Sequence, residues 1–442
     1  MGTERQETEG LDELVAPAPD ENPQENEYYR HDSLESERRT QDIENRVASI
    51  DENARPASKA PSFEKRFLAK FYTVSYLIFF SILGTLARLG LVALTAYPGG
   101  PNANPILWAN VGGSLIIGFL REDRLLFRNH WKQATQDARD GAQEESRHSV
   151  DDRNEGGDGG GRSGSDESEL EKVAQQSFNE KKTRLHVYIG LAVGFCGSFT
   201  SFADIIRDAF LAISDDFSTA DITTLETTDV KRGRSDGYSV LAVIGILWLQ
   251  VAMSTASLQL GAHIATGVGS LAEIIPVLEL KIEEVLNKVV LVLGCGSWIG
   301  AVMMAIWPPQ QAWRGQAVFA IVFAPVGCLL RFYLALLLNP RANSFPLGTF
   351  AANVFGTCVL GMAWDLQHSR LVGVVGCQVL QGIGDGFCGA LTTVSTWVLE
   401  LKALKLWHSY VYAAASIGVS LAFMVVIMGS FRWTEGFQDP VC

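Results

Sequence analysis

Cysteine is scarce in this chain, and the spacing of the few present excludes two kinds of chemistry. Seven among 442 residues (Cys196, Cys295, Cys328, Cys358, Cys377, Cys388 and Cys442) include no CxxC pair. Neither a zinc site nor a disulfide framework is expected, and the six inside apolar runs read as small buried hydrophobes. Basic charge is short too: 36 Lys and Arg stand against 49 Asp and Glu, a formal net charge of −13. That balance offers no basic surface to nucleic acid. There is no GxxxxGK[ST] loop to cradle nucleotide phosphates. A hydrolytic pair would have to come from Ser201 or Thr393 with His186 or His263, and no spacing supports one. The chain is therefore expected not to be an enzyme and to use no organic cofactor. No cleavable signal peptide opens it, so its first apolar segment is expected to stay as a membrane helix.

Long apolar runs are what the chain has in abundance. Charge is gathered into residues 1–66, rich in Glu, Asp, Asn, Gln, Pro and Arg, and into an insert at 121–183 containing DGGGRSGSDES. The first reads as a disordered cytoplasmic tail and the second as a flexible loop. Between and beyond them, runs of about 20 apolar residues are long enough to cross a bilayer. Nine spans are expected, at about 72–97, 104–120, 185–212, 238–262, 288–307, 315–338, 346–364, 370–400 and 408–430. Lys65, Arg66 and Lys70 precede the first span, Arg121, Arg124, Arg128 and Lys132 follow the second, and residues 98–103 between them carry no basic residue. This favours a cytoplasmic N-terminus and an extracellular C-terminus. Lys231, Arg232 and Arg234, which would then lie outside, vote the other way.

The chain repeats itself. GTLARLG at 84–90 matches GCLLRFY at 327–333, and ANVGGSLIIG at 109–118 matches ANVFGTCVLG at 352–361. The interval from Arg88 to Arg331 equals that from Asn110 to Asn353. GFCGSFTSF at 194–202 and GFCGALTTV at 386–394 form a third pair, closer together by about the length of the insert. In each, glycines and hydroxyl residues interrupt an apolar run, and freed backbone groups survive at membrane depth only beside protein or a polar cavity. The expected architecture is an all-α integral membrane protein with a broken third helix in each of two four-helix units. The units are 67–265, with the insert, and 313–442. Residues 266–312 form a linker whose single membrane helix inverts the second unit relative to the first.

Several residues carry the candidate chemistry. Asn110 and Asn353 could donate amide hydrogens to an anion stripped of water, or could stitch helices together. Thr200, Ser201, Thr392, Thr393, Ser395 and Thr396, extended by Ser254 and Ser416, could form a polar track, or could bond back to their own helices. Arg88 and Arg331 are intramembrane charges that could attract an anion or pair structurally. Asp204 lies beside Ile205 and could obstruct an anion, be solvated or pair with Arg207; Asp385 has Val193 as its counterpart.

An arginine in the first helix, Asn-x-x-Gly-[Ser/Thr] in the second and GFCGxxTxx in a broken third, twice in order, resemble the Fluc fluoride channels of the CrcB family. Two copies joined by a linking helix resemble the fused fungal fluoride exporters of that family. The match runs from about 70 to 430, apart from the insert. The resemblance implies a sodium ion held by backbone carbonyls of Gly197, Thr200, Gly389 and Thr392, and an anion path past Asn110 or Asn353. It also implies two phenylalanines three apart after each break, whose ring edges face the anion. Here the chain departs from the pattern, with Phe202 and Ile205 in one copy and Val394 and Trp397 in the other. If each path draws one aromatic from each half, Phe202 and Trp397 complete one pore, while Ile205, Val394 and Asp204 mark a vestigial one.

The expected function is passive, potential-driven fluoride export across the plasma membrane, protecting the cytoplasm, by a monomer of two fused halves in the lipid bilayer. The alternatives are a proton-coupled small-anion transporter and, more remotely, a non-transporting receptor or scaffold.

Overall fold

A computed structural model describes residues 63–95, 104–124, 127–151, 173–175, 177–179, 181–216, 236–271, 283–342 and 344–442. All regular structure among them is helical. The expected tail at 1–66 lies outside them except for the first turn of α1, Phe63–Thr95. There follow α2 (Ile106–Glu122), α3 (Arg128–Asp151), α4 (residues 186–199), α5 (Phe202–Ile213), α6 (Asp236–Leu271) and α7 (Glu283–Ile306). The second half holds α8 (residues 311–338), α9 (Leu347–Gln367), α10 (residues 374–391), α11 (Ser395–Ala403) and α12 (Leu406–Thr434).

Eight stretches are long and apolar enough to cross a membrane, where nine were expected. The shortfall is α2. Its 17 residues run from Ile106, just after Pro105, to the Arg121–Glu122 pair, a rise of about 25 Å against a hydrocarbon thickness of about 30 Å. Glycines compensate by letting α2 sit tightly on α6. A Cβ on Gly118 would strike the Leu258 carbonyl, and one on Gly261 the Leu115 carbonyl. Small residues at such crossings give membrane helices the close packing that hydrophobicity cannot supply between them.

The repeat is visible in packing. Gly84 of α1 lies against the carbonyl of Phe195 in α4, and its counterpart Gly327 of α8 lies against that of Phe387 in α10. α4 and α10 each contain a wide π-type turn, Gly190–Cys196 and Ile383–Cys388. The glycines of the two GFCG motifs therefore fall inside helix and mediate close approach. The chain leaves the helix three residues after the last glycine, at Thr200–Ser201 and Thr392–Thr393.

The described part of the insert is helical. It carries α3, and Phe127, Ala134 and Phe178 are buried together beside Trp131, Leu185 and Tyr188. Lys182 is the centre of this cluster. Its ammonium donates to the carbonyls of Arg121 (2.9 Å) and Asp123 (2.8 Å), closing the C-terminal end of α2. It also lies over the rings of Phe127, Phe178 and Tyr188. Burial lowers it to about 8, despite the opposing pull of Asp123 and Glu122. Four scattered aromatic and lysine positions give no periodic signal, which is why the segment read as loop.

The cysteine expectation is also corrected, because Cys377 and Cys442 form a disulfide across a sequence separation of 65. The bond fastens the last residues to the start of α10. Gln438 N–H donates to the His368 carbonyl (3.0 Å), and Phe437 packs against Trp364, His368 and Phe431. The other five cysteines are free thiols, none of them exposed.

Candidate functional site

At each break the threonine turns extended, with φ −99° and ψ 152° at Thr200 and φ −87° and ψ 151° at Thr392. That starts a new helix whose first N–H groups need acceptors. The acceptors come from the opposite half. Thr200 Oγ1 accepts from the backbone N–H of Val394 (3.1 Å) and Ser395 (3.2 Å), at the start of α11. Thr392 Oγ1 accepts from the N–H of Ala203 (3.1 Å), at the start of α5. Ser201 and Thr393 cap their own helices, accepting from Asp204 N–H and Thr396 N–H, each at 3.4 Å. Cross-links between hydroxyls, Thr200 to Thr393 and Ser395 (3.2 Å each) and Ser201 to Thr392 (3.4 Å), complete the knot. The two halves are thus tied by an exchange of helix caps.

The arginines follow the same exchange. Arg331 donates from Nη2 to the carbonyl of Val193 (2.9 Å) in the first half and from Nε to that of Ala390 (3.0 Å) in its own. Arg88 donates from Nη2 to the carbonyl of Asp385, the counterpart of Val193. Each guanidinium fills the space beside a glycine of the other half, Arg331 against Gly197 and Arg88 against Gly389. Both arginines are buried, and neither forms an ion pair among the described residues. They satisfy carbonyls in the wide turns, at Val193 and Asp385, and one just before the second break, at Ala390.

Asn110 and Asn353 bridge the breaks in their own halves. Asn110 Oδ1 accepts from Ser201 N–H (2.9 Å), and its Nδ2 donates to Ser201 O (3.4 Å) and to Gln250 Oε1 (3.0 Å). Asn353 Oδ1 accepts from Thr393 N–H (2.9 Å), and its Nδ2 donates to Thr393 O (3.2 Å). An amide nitrogen carries two hydrogens. Both of Asn110's are engaged, whereas one of Asn353's has no partner among the described residues. The cause is the residue in the facing helix. At the position of Gln250 on α6, α12 has Tyr412, whose hydroxyl turns to Glu400 Oε2 (2.7 Å).

Around Asn353 the second half builds a polar column. Tyr412, Ser416 and Ser420 recur every four residues on α12, all buried. Glu400 of α11 also accepts from Thr349 Oγ1 of α9 (2.6 Å) and from Asn339 Nδ2 (3.4 Å), so this side of α11 faces α9 and α12. Trp397, three residues earlier, lies on that side. Its ring meets Phe202 of the first half edge-on, at 5.4 Å between centroids and 63° between planes. Phe202 and Trp397 are both 1% exposed. The buried Trp397 Nε1 and Ser420 Oγ have no hydrogen-bond partner among the described residues. Ser416 and Thr357 bond back to Tyr412 O and Asn353 O, each at 2.7 Å.

The first-half column, α2 with α6, has Asn110 and Gln250 followed one turn later by Ser114 and Ser254. Ser114 Oγ, Ser254 Oγ and Gln250 Nε2 are buried without partners among the described residues. Ile205 and Val394 are buried in the large apolar cluster that holds Phe202 and Trp397. Asp204 pairs with Arg207 (2.7 Å), which also grips Asp208 (2.8 Å) and lies 5.3 Å over the Trp364 ring. Asp385 stands in the electrostatic neighbourhood of Arg88, Asp204 and Arg207.

The carbonyls of Thr200 and Thr392 receive no side-chain donor among the described residues, and the extended geometry turns them out of helical bonding. Hard oxygen donors of this kind fit a small hard cation. At Gly197 and Gly389 the adjoining space is taken by guanidinium groups, so the fit is better at the threonines.

Gln250, Tyr412, Ser420, Ser114, Thr349 and Glu400 were not read from the sequence as site residues. Spacing by four from Ser254 and Ser416 would have reached the helix-borne Gln250, Tyr412 and Ser420. Glu400 stands at the end of an expected span, with no repeat partner in the sequence motifs to mark it.

The family model described as "CrcB-like protein, Camphor Resistance (CrcB)" matches residues 75–262 and 318–430. Fluoride export protein 1 of Neurospora crassa is 43% identical over 96% of this chain and 82% of its own length. Fluoride export protein 1 of Candida albicans is 28% identical over 84% and 82%. The fluoride-specific ion channel FluC of Desulfovibrio desulfuricans is 36% identical over 24% of this chain and 85% of its own length, one bacterial chain spanning a fraction of this one. No solved structure matches.

Proposed function

The chain belongs to the CrcB family, and on that premise we propose that it exports fluoride through the Asn353 column as a passive, potential-driven channel. The observation that carries this reading is the second amide hydrogen of Asn353, which has no partner among the described residues, in a half whose buried Trp397 N–H and Ser420 hydroxyl also lack one there. Fluoride is small and strongly hydrated, so it enters an apolar protein only where donors replace its water. Phe202 and the Trp397 ring present positively polarised edges to it. A negative-inside potential drives an anion outward by about 2.3 kcal/mol per charge per 100 mV, so no nucleotide is needed. The companion column, with Asn110 engaged and Ile205 and Val394 in place of aromatics, is the vestigial one. Fluoride efflux from liposomes should fall at least tenfold in Phe202→Ile and stay within twofold in Val394→Ala. Equal loss in both would sink the one-pore reading.

The exchange of caps and arginines is what two halves related by a two-fold axis in the membrane plane would give, with α7 inverting the second. On this reading α2 completes nine crossings, and the protein works in the plasma membrane as a monomer of two fused halves, N-terminus cytoplasmic and C-terminus outside. The Cys377–Cys442 disulfide supports that orientation, because such bonds persist on the oxidising side. A membrane-impermeant maleimide should label both cysteines in intact cells only after reduction. Labelling that requires permeabilisation would reverse the orientation.

Thr200 and Thr392, with Gly197 and Gly389, are the residues that would hold a sodium ion, supplying a fixed positive charge where the halves meet. Their carbonyls would be its ligands, so sodium should raise the unfolding temperature of the purified chain over an equal concentration of N-methylglucamine. An unchanged temperature would remove the ion from this account.

A further inference from the structure

In the first column a glutamine occupies the place where an anion would be received. α2 and α6 pack in parallel register, Asn110 beside Gln250 and, two turns on, Gly118 against Leu258. In the second column the residue facing the asparagine is Tyr412, and it is drawn away by Glu400. The first half cannot do the same. Asp208, the counterpart of Glu400, is gripped by Arg207 through Nε (3.1 Å) and Nη2 (2.8 Å). Position 250 therefore has no carboxylate to turn towards, and the glutamine amide oxygen settles on Asn110 Nδ2 at 3.0 Å.

Resting on the reading that only the Asn353 column conducts, we propose that Gln250 is the latch of the first column, its Oε1 holding the amide hydrogen that Asn353 keeps for the anion. Gln250 is 1% exposed and Asn110 fully buried, so no solvent competes for this bond. The remaining polar lining, Ser114, Ser254 and Gln250 Nε2, is unpartnered. What the column lacks is the Asn110 donor and two ring edges.

The test uses the full chain in liposomes, with the second column disabled by Asn353→Ala and ring edges restored to the first by Ile205→Phe and Val394→Phe. Leu replaces Gln250 without offering an acceptor. Fluoride efflux should rise at least tenfold when Gln250→Leu is added to that triple variant. Equal efflux with Gln or Leu at position 250, whether both conduct or neither does, would overturn the latch. If Asn353→Ala alone keeps more than half of the wild-type efflux, the one-column reading has failed instead. A second readout needs no conduction. In detergent-solubilised chain labelled at asparagine side-chain nitrogen, fluoride should shift the Asn110 amide signal in Gln250→Leu and leave it unmoved in the wild type; the same response in both would also overturn the latch.

Discussion

Replacing Asn353 with alanine is expected to lower fluoride efflux by roughly 10- to 100-fold, because it removes the one amide hydrogen that the second column leaves open to an anion. A hydrogen bond to a charged partner contributes about 1.5–3 kcal/mol, and each 1.4 kcal/mol is about a factor of ten. Some of the loss will be structural, since Asn353 also holds both backbone groups of Thr393. Asn353→Asp keeps half of the structural role, losing the donation to Thr393 O. It keeps an oxygen acceptor for Thr393 N–H and, as a carboxylate, presents charge and no donor to the anion. It should fold, giving the same size-exclusion profile as the wild type, and yet conduct no better than the alanine variant. Asn353→Asp efflux near the wild-type rate would mean that the asparagine serves the break alone.

Removing Arg331 is expected to have the largest effect on folding. Arg331→Met leaves the carbonyls of Val193 and Ala390 without their donors in a place water does not reach. At about 1–3 kcal/mol for each orphaned group, the loss is roughly 2–6 kcal/mol. Arg331→Lys should recover little, since one ammonium cannot reproduce the planar fork that spans carbonyls from both halves. Thermal unfolding followed by fluorescence-detected size exclusion will show this as a lowered midpoint in both variants. A lysine variant as stable as the wild type would shift the explanation from geometry to charge.

Most of the framework was legible because the bilayer writes it into the sequence as long apolar runs and paired motifs. Arg88 with Arg331, Asn110 with Asn353 and the two breaks were readable as equivalents, and the structure gives each pair a contact in common, while among the described residues Asn110 alone adds Gln250 and Arg331 alone adds a carbonyl of its own half. The family resemblance implied that Phe202 and Trp397 belong to one path; the structure brings their rings together edge-on, which is a contact between the halves. The direction of the bonds was not legible. Thr200 and Thr392 looked like lining residues, and their hydroxyls instead cap helices of the opposite half. A hydroxyl suits either role, and only the position of the partner helix decides.

Other gaps have simple physical causes. Asp204 had three open readings, an obstacle to an anion, a solvated carboxylate or a partner of Arg207, and it lies 2.7 Å from that guanidinium. The Cys377–Cys442 bond joins residues far apart in sequence, one in an apolar run and one at the terminus, with no spacing rule to link them. α2 was expected as a span at 104–120 and forms a helix of 17 residues, Ile106–Glu122, shorter than the eight stretches long enough to cross. Asp208 is held by Arg207 while its counterpart Glu400 receives Tyr412, and Gln250 meets Asn110. That chain of partners is invisible to any single motif.

The most direct measurement is fluoride efflux from liposomes holding the purified chain, with the membrane potential set by a potassium gradient and valinomycin and chloride as the comparison ion. The account predicts fluoride efflux that follows the imposed potential, negligible chloride efflux and no stoichiometric proton movement. No fluoride efflux under a potential, or fluoride moving in fixed ratio with protons, would contradict it.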